Sequence, residues 1–337
     1  MLLREVTMRW MVGLSVVLLL PSVADAGKKK KKKKEKQAAE APLIALPCGY
    51  VPGEVHRYRY EKVTRKDLPT GATAHTVRYE LGIEVVSFDG TTSVLDVTSG
   101  PMEIAGTDPN DPMQRALMEA LSRHAAQGTL PVIRYAKNHA TSEHSVLNID
   151  EIMPVYDALT NEVVKAMQEA EPSAASIAEN VMGSLMTPEY VTQKIDEDLY
   201  ALVDYTCGEL RPHATYETLL PNALGGDPFP AAGEITVSRR QDEVVVHLSE
   251  TVDPASVSGL LEDILTMAGM PADSPELAEA LRSMSVHIGT DLEIVTPVAT
   301  GWPTTWRSRR DAKVFMNDQE LPGGRTDTVQ CARVDPG

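Results

Sequence analysis

Between Val55 and Val63 the chain alternates without a break. Val55, Arg57, Arg59, Glu61 and Val63 fall on one side, and His56, Tyr58, Tyr60 and Lys62 on the other. A two-residue period with aromatic groups on one side is the signature of a strand with one buried face. The same habit returns at residues 73–86 and 92–97, and Phe88-Asp89-Gly90-Thr91 between them carries an Asp-Gly hairpin turn. Residues 130–136 and 143–149 read as a second hairpin joined by a polar loop. The final third alternates again at residues 215–220, 234–239, 243–250, 286–298, 304–316 and 326–334.

Helical signals fill the gaps. Asp108-Pro109-Asn110-Asp111-Pro112 precedes a stripe of Met113, Leu117, Ala120, Leu121 and His124, with Gly128 as a stop. A second helix starts near Pro154 and carries Met153, Val155, Leu159, Val163 and Met167. Residues 173–186 and 187–205 make two more, each opening on a capping Ser or Thr, with Pro188 at the first helical position and Gly208 at the end. Asp253-Pro254 opens a helix through Met267, and Ser274-Pro275 a short one through Arg282. Strands paired through hairpins, with helices laid over them, make the fold class α+β: a large antiparallel sheet of about ten strands with covering helices. Residues 46–337 form this domain, with 46–210 and 211–337 as candidate halves. A strand–strand–Asp-Pro–helix order recurs around Asp108-Pro109 and Asp253-Pro254, and a common helix cap explains the recurrence equally well.

The N-terminus is of another kind. Arg4 and Arg9 precede an apolar run from Trp10 to Leu20, and Ala24-Asp25-Ala26 closes it. A run of about eleven residues is short of the roughly 20 that a spanning helix needs, so residues 1–26 read as a cleavable export signal and not a transmembrane anchor. Residues 27–45 read as a disordered linker opening on Lys28, Lys29, Lys30, Lys31, Lys32, Lys33 and Lys34. Lysines directly after an apolar segment favour the cytoplasmic side, so an uncleaved segment stands as the alternative. The expected location is periplasmic or secreted.

Charge is segregated. Of 32 Lys and Arg, ten lie in residues 1–36, so the remaining 301 residues carry 22 basic and 45 acidic groups, a net of −23. A body this acidic repels phosphate backbones, which argues against a nucleic-acid partner. The lysine run suits an anionic envelope surface, at about 1 kcal/mol per lysine at low salt, or rests as a solvated tether on its own acidic body. Fourteen Met against three Phe suggest a core that adapts to variable apolar partners, or ordinary packing in a Phe-poor chain.

Three cysteines predict one disulfide and one free thiol in an oxidising compartment. Cys48 and Cys331, at the two ends of the folded region, are the expected pair. No catalytic signature is present: no G-x-S-x-G, no S-x-x-K set, no cysteine beside a plausible histidine, and no glycine-rich phosphate loop. Gly225-Gly226 and Gly323-Gly324 sit in turns. His139, Glu143 and His144 share one hairpin, but the spacing is not diagnostic of a metal. His56, His75, His247 and His287 are read as structural or surface groups, and Asp196, Glu197, Asp198, Glu262 and Asp263 as solvated helix faces. Trp302 and Trp306 make either a ligand contact or one core patch. No cofactor is expected.

The strand layout of Gly53-Glu54-Val55-His56-Arg57-Tyr58-Arg59-Tyr60, the strand–turn–strand of residues 133–149 and the closing turn Thr300-Gly301-Trp302-Pro303 resemble uncharacterised exported bacterial β-rich proteins, many of them lipoproteins. The chain is also loosely similar to the half-barrel carriers of the lipoprotein-sorting class. That resemblance implies an acyl chain held between a curved sheet and lid helices. The chain departs from the lipoprotein members in lacking a lipobox cysteine. It is therefore expected to bind an apolar ligand or envelope component without catalysis. A structural protein held to the envelope by its lysine tail, or a hydrolase with a dispersed site, are the alternatives.

Overall fold

The computed structural model describes residues 42–46, 48–68, 71–106, 119–120, 123–124, 126–127, 130–170, 187–220, 229–257, 283–317, 319–321 and 323–334. The export signal, the lysine run, the helices expected at 173–186 and 274–282, and most of those at 113–124 and 253–267 lie outside the described residues.

The alternating segments form strands: β1 (Ile44–Leu46), β2 (Val55–Leu68), β3 (Gly71–Phe88), β4 (Thr92–Ser99), β5 (Glu103–Ala105), β6 (Ile133–Asn138) and β7 (Glu143–Val146). After them come β8 (Gly208–Leu210), β9 (His213–Leu220), β10 (Phe229–Arg240), β11 (Glu243–Val252), β12 (Met284–Pro297), β13 (Thr305–Met316), β14 (Gln319–Glu320) and β15 (Arg325–Arg333). The four shortest, β1, β5, β8 and β14, were not expected, because two or three residues are too few to display a period. Thirteen strands make one open antiparallel sheet with the path β7-β6-β4-β3-β2-β15-β13-β12-β11-β10-β9, while β14 pairs β13 and β5 pairs β3. The last long strand closes the order by lying between β2 and β13. The Asp89-Gly90 turn forms as expected: the Asp89 carboxylate accepts from the amides of Thr91 and Thr92 at 2.8 and 2.6 Å, and Gly90 takes φ 92°.

The two faces of the sheet differ. The outer face carries ion pairs such as Arg57–Glu80 at 2.8 Å, Arg78–Glu61, and Arg134–Asp96 at 2.7 Å. Cross-strand pairs like these suit a wet surface. The inner face is apolar, and Tyr58, Tyr60, Leu81, Ile83, Val85, Leu95 and Val97 are buried on it. Two helices are described. α1 (Ile149–Ala170) begins five residues before Pro154, so the proline sits inside the helix instead of opening it. α2 (Pro188–Val203) begins as the sequence implied, with Thr187 Oγ1 accepting from the Tyr190 amide at 3.2 Å. Its apolar stripe of Val191, Ile195, Leu199, Leu202 and Val203 is buried in the same cluster as the sheet residues above. Gly208 does not end this helix; the chain leaves it at Asp204 and Gly208 opens β8.

The disulfide is Cys48–Cys207, not Cys48–Cys331. β1 does not join the main sheet; it pairs only with β8, Ile44 opposite Leu210, and this brings Cys48 beside the residue that precedes β8. Cys331 lies on the inner face of β15, opposite Trp306, where it is fully buried and free. Burial pushes its thiol up to about 12. A disulfide places the chain in an oxidising, non-cytoplasmic compartment. Among the described residues, no helix is long and apolar enough to cross a membrane.

Candidate functional site

Two features of the inner face carry polar chemistry. The first lies under the sheet edge, where the β6–β7 hairpin meets α2. Tyr135 and Lys137 are two apart on β6 and both point inward; His144 stands opposite Lys137 on β7. From α2, Asp196 accepts from the Tyr135 hydroxyl and, at 2.5 Å, from His144 Nδ1. Asp204, at the helix end, accepts from Lys137 Nζ and lies 3.6 Å from His144 Nε2. Two carboxylates thus face one ammonium and one imidazole. Burial works to lower the pKa of His144, but the Asp196 hydrogen bond and the charges of Asp204 and Asp196 outweigh it and the net direction is upward. Burial, reinforced by the Asp196 charge, raises the Tyr135 phenol, which stays protonated.

The network continues inward to the disulfide. Ser93, opposite Lys137 on β4, hydrogen-bonds through Oγ to His139 Nε2 at 3.0 Å. Tyr50 packs its ring 4.9 Å from that of His139 and donates its hydroxyl to Thr206 Oγ1 at 2.7 Å, and Thr206 donates to the Val203 carbonyl at 2.8 Å. Burial, with the nearby Lys137 charge, lowers the pKa of His139. His139 and His144 therefore serve different partners, and Glu143 on the outer side hydrogen-bonds Thr141. Among the described residues, no group of three or more His, Cys, Asp or Glu side chains is placed to hold a metal ion.

The second feature is a polar row across the sheet. Residues directly opposite one another run His75, Thr64, Asp327, Arg310, Thr290, Glu250 and Gly233 from β3 to β10, with Tyr216 of β9 last. Thr64 donates to Asp327 at 2.7 Å, and Arg325 pairs with Asp327 at 2.8 Å. Burial opposes ionisation of Asp327, yet Arg325 and Lys62 hold it below the usual carboxylate range. Gly233 has no side chain because the Tyr216 ring lies across it; a Cβ there would sit 2.2 Å from the ring. This lets Tyr216 donate to the buried Glu250 at 2.7 Å.

The row divides the inner face into two apolar tracts. One holds α2 together with Tyr58, Trp302 and Trp306, which answers the choice left by the tryptophans: both are core. The other comprises Phe229, Ala231, Val252, Val257, Met284, Val286 and Val314, and includes no residue of α1 or α2. A separate groove of about 210 Å³ is lined by Arg59, Arg78, Glu80 and Glu103 among others, and such charges do not suit an apolar guest.

Of the other histidines, His56 is buried against Trp302, with ring centroids 4.2 Å apart, and His247 and His287 are on the outer face. Asp196 is not on a solvated face; the hairpin covers it. The side chains of Glu197 and Asp198, and residues Glu262 and Asp263, lie outside the described residues. Tyr135, Lys137, Asp204 and Ser93 were missed. A lysine two residues from a tyrosine on an alternating strand was a usable signal, since both must share its buried face.

No family model matches the chain, and no curated protein matches it. Similar solved structures include lipovitellin, in a study of its lipid–protein interactions, at TM-score 0.38 and 9% identity, covering 86% of this chain and 25% of that one. DynF, from the dynemicin biosynthesis pathway of Micromonospora chersina, aligns at TM-score 0.20 and 7% identity over 91% and 92% of the two chains. An outer membrane channel from Pseudomonas putida F1 aligns at 0.19 and 7%, over 90% and 100%. The chain spans about a quarter of the lipovitellin chain it matches. All three scores lie below 0.5 and carry no functional argument.

Proposed function

We propose that this is an exported, non-catalytic binding protein that holds an apolar ligand or envelope component against the inner face of its sheet. The observation that carries the reading is the second apolar tract. A large one-sided sheet devotes four strands, β10 to β13, and the Pro254–Val257 turn to a buried apolar tract beyond the polar row, apart from both described helices. The apolar stripe of α2 already lines the first tract, whereas neither described helix lines the second, so the ligand is assigned to the second tract. The ionisable groups support binding over catalysis, because each carboxylate of the edge network is engaged by a base or phenol. Protein purified without detergent and extracted with organic solvent should release an apolar molecule in near-stoichiometric amount. Met284→Asp should lose it while α2 and the disulfide remain intact. No recovered molecule, or equal recovery from the variant, refutes the proposal.

A second reading rests on the sequence. Seven consecutive lysines preceding an acidic body form an attachment to an anionic envelope surface in the periplasm or outside the cell. Deleting Lys28–Lys34 should release the protein from anionic vesicles that the full chain binds at low salt, and 0.5 M salt should do the same.

A further inference from the structure

We propose that His144 is a proton-operated latch that clamps the β6–β7 edge hairpin onto helix α2 in mildly acidic medium and loosens it in alkaline medium. This goes beyond ligand binding and does not depend on it.

The argument begins at the edge. β7 has only four residues and is held to the sheet by β6 alone. A strand this short at an open edge needs a second attachment, and α2 supplies it through Asp196 and Asp204. Among the described side chains, the charged or titratable groups facing His144 are Asp196 and Asp204 from α2 and its end, and Lys137 and Tyr135 from β6. Glu143, its neighbour on β7, is exposed on the other side, and His139 at the turn faces Ser93. Lys137, 3% exposed, is matched by Asp204. Among the described side chains, that leaves Asp196 with no full positive charge bonded to it except a protonated His144.

Protonated, the four ionic groups sum to zero. Deprotonated, they carry one uncompensated negative charge in a site where His144 and Asp196 are 15% and 18% exposed, and such a charge is costly. The sign follows. A histidine raised above its ordinary value contributes stability in full below about pH 6.5, and loses it as pH rises through the higher folded value. Loss of the charge weakens the β7–α2 contact first, because His144 is the β7 side chain that bonds Asp196 and approaches Asp204.

The test uses the full chain. Amide hydrogen exchange, corrected for intrinsic rates, is followed at pH 6 and pH 8.5 for residues 143–146 and 196–203. Protection there should fall at least several-fold at the higher pH, while β12 and β13 stay unchanged. In His144→Gln the difference should vanish. Equal pH dependence in wild type and variant, or none in wild type, overturns the proposal. If His144→Gln does not fold, NMR titration of His144 in the wild type decides. A pKa above 6.5 supports the latch, and one at or below 6.5 refutes it.

Discussion

The indole of Trp302 donates through Nε1 to the Gly49 carbonyl at 2.8 Å, joining positions 253 residues apart. That bond seats the turn before β13 on the segment just after Cys48. The fit is tight: a Cβ on Gly49 would meet the Thr300 carbonyl oxygen at 1.8 Å, and Gly301 takes φ 67°. Around it, Trp302 stacks on His56 and meets Tyr50 edge-on at 4.9 Å.

Trp302→Phe should cost about 1 kcal/mol, the value of one hydrogen bond. Trp302→Ala should cost about 3–5 kcal/mol through the cavity it leaves. Urea unfolding of both variants, read by circular dichroism, separates the bond from the packing.

Gly233→Ala should destabilise by about 1–3 kcal/mol. The new methyl displaces the Tyr216 ring and strips Glu250, itself 2% exposed, of its phenol donor. Tyr216→Phe should cost a similar amount. The double variant should cost less than the sum, since both remove one bond.

Acid should weaken the fold. Burial, with Arg333 nearby, lowers His56 to about 4, and burial with Arg325 and Lys66 does the same to His75. Unfolded, both return to about 6.5. Between these values only the unfolded chain binds the protons, so the contribution of these two histidines is complete above about pH 6.5 and declines as pH falls toward 4. His56→Phe keeps a ring on Trp302 and should remove up to one proton from the uptake measured across that range.

Reduction should act strongly, because the Cys48–Cys207 link closes a loop of 159 residues. Chain-entropy reasoning puts its contribution at about 5 kcal/mol. A non-reduced peptide map should give Cys48 joined to Cys207. Cys331 should resist alkylation until the protein unfolds, and three free thiols would contradict the structure.

The strands from β2 to β4, from β9 to β13, and β15 could be read directly, because their side chains alternate between an ion-paired face and an apolar one. The sequence pattern of β2 even held the polar row: Lys62 falls on the tyrosine side, followed inward by Thr64 and Lys66. What could not be read depends on contacts between distant segments. Cys48 meets Cys207 because β1 leaves the main sheet for β8, and no local periodicity announces that choice. Asp196 reads as a wet helix residue until the β6–β7 hairpin is laid over it. The ending of α2 was misplaced because Gly208 has the look of a helix stop, whereas the chain turns at Asp204 and uses the glycine to start a strand.

The β1–β8 pair and its covalent bond have a mechanical consequence. Any force pulling on the N-terminal segment reaches the body at the exit of α2, carried by two three-residue strands and one sulfur–sulfur link. With the link intact the anchorage resists peeling; once it is reduced, the same tug unzips β1 and passes along the backbone to β2.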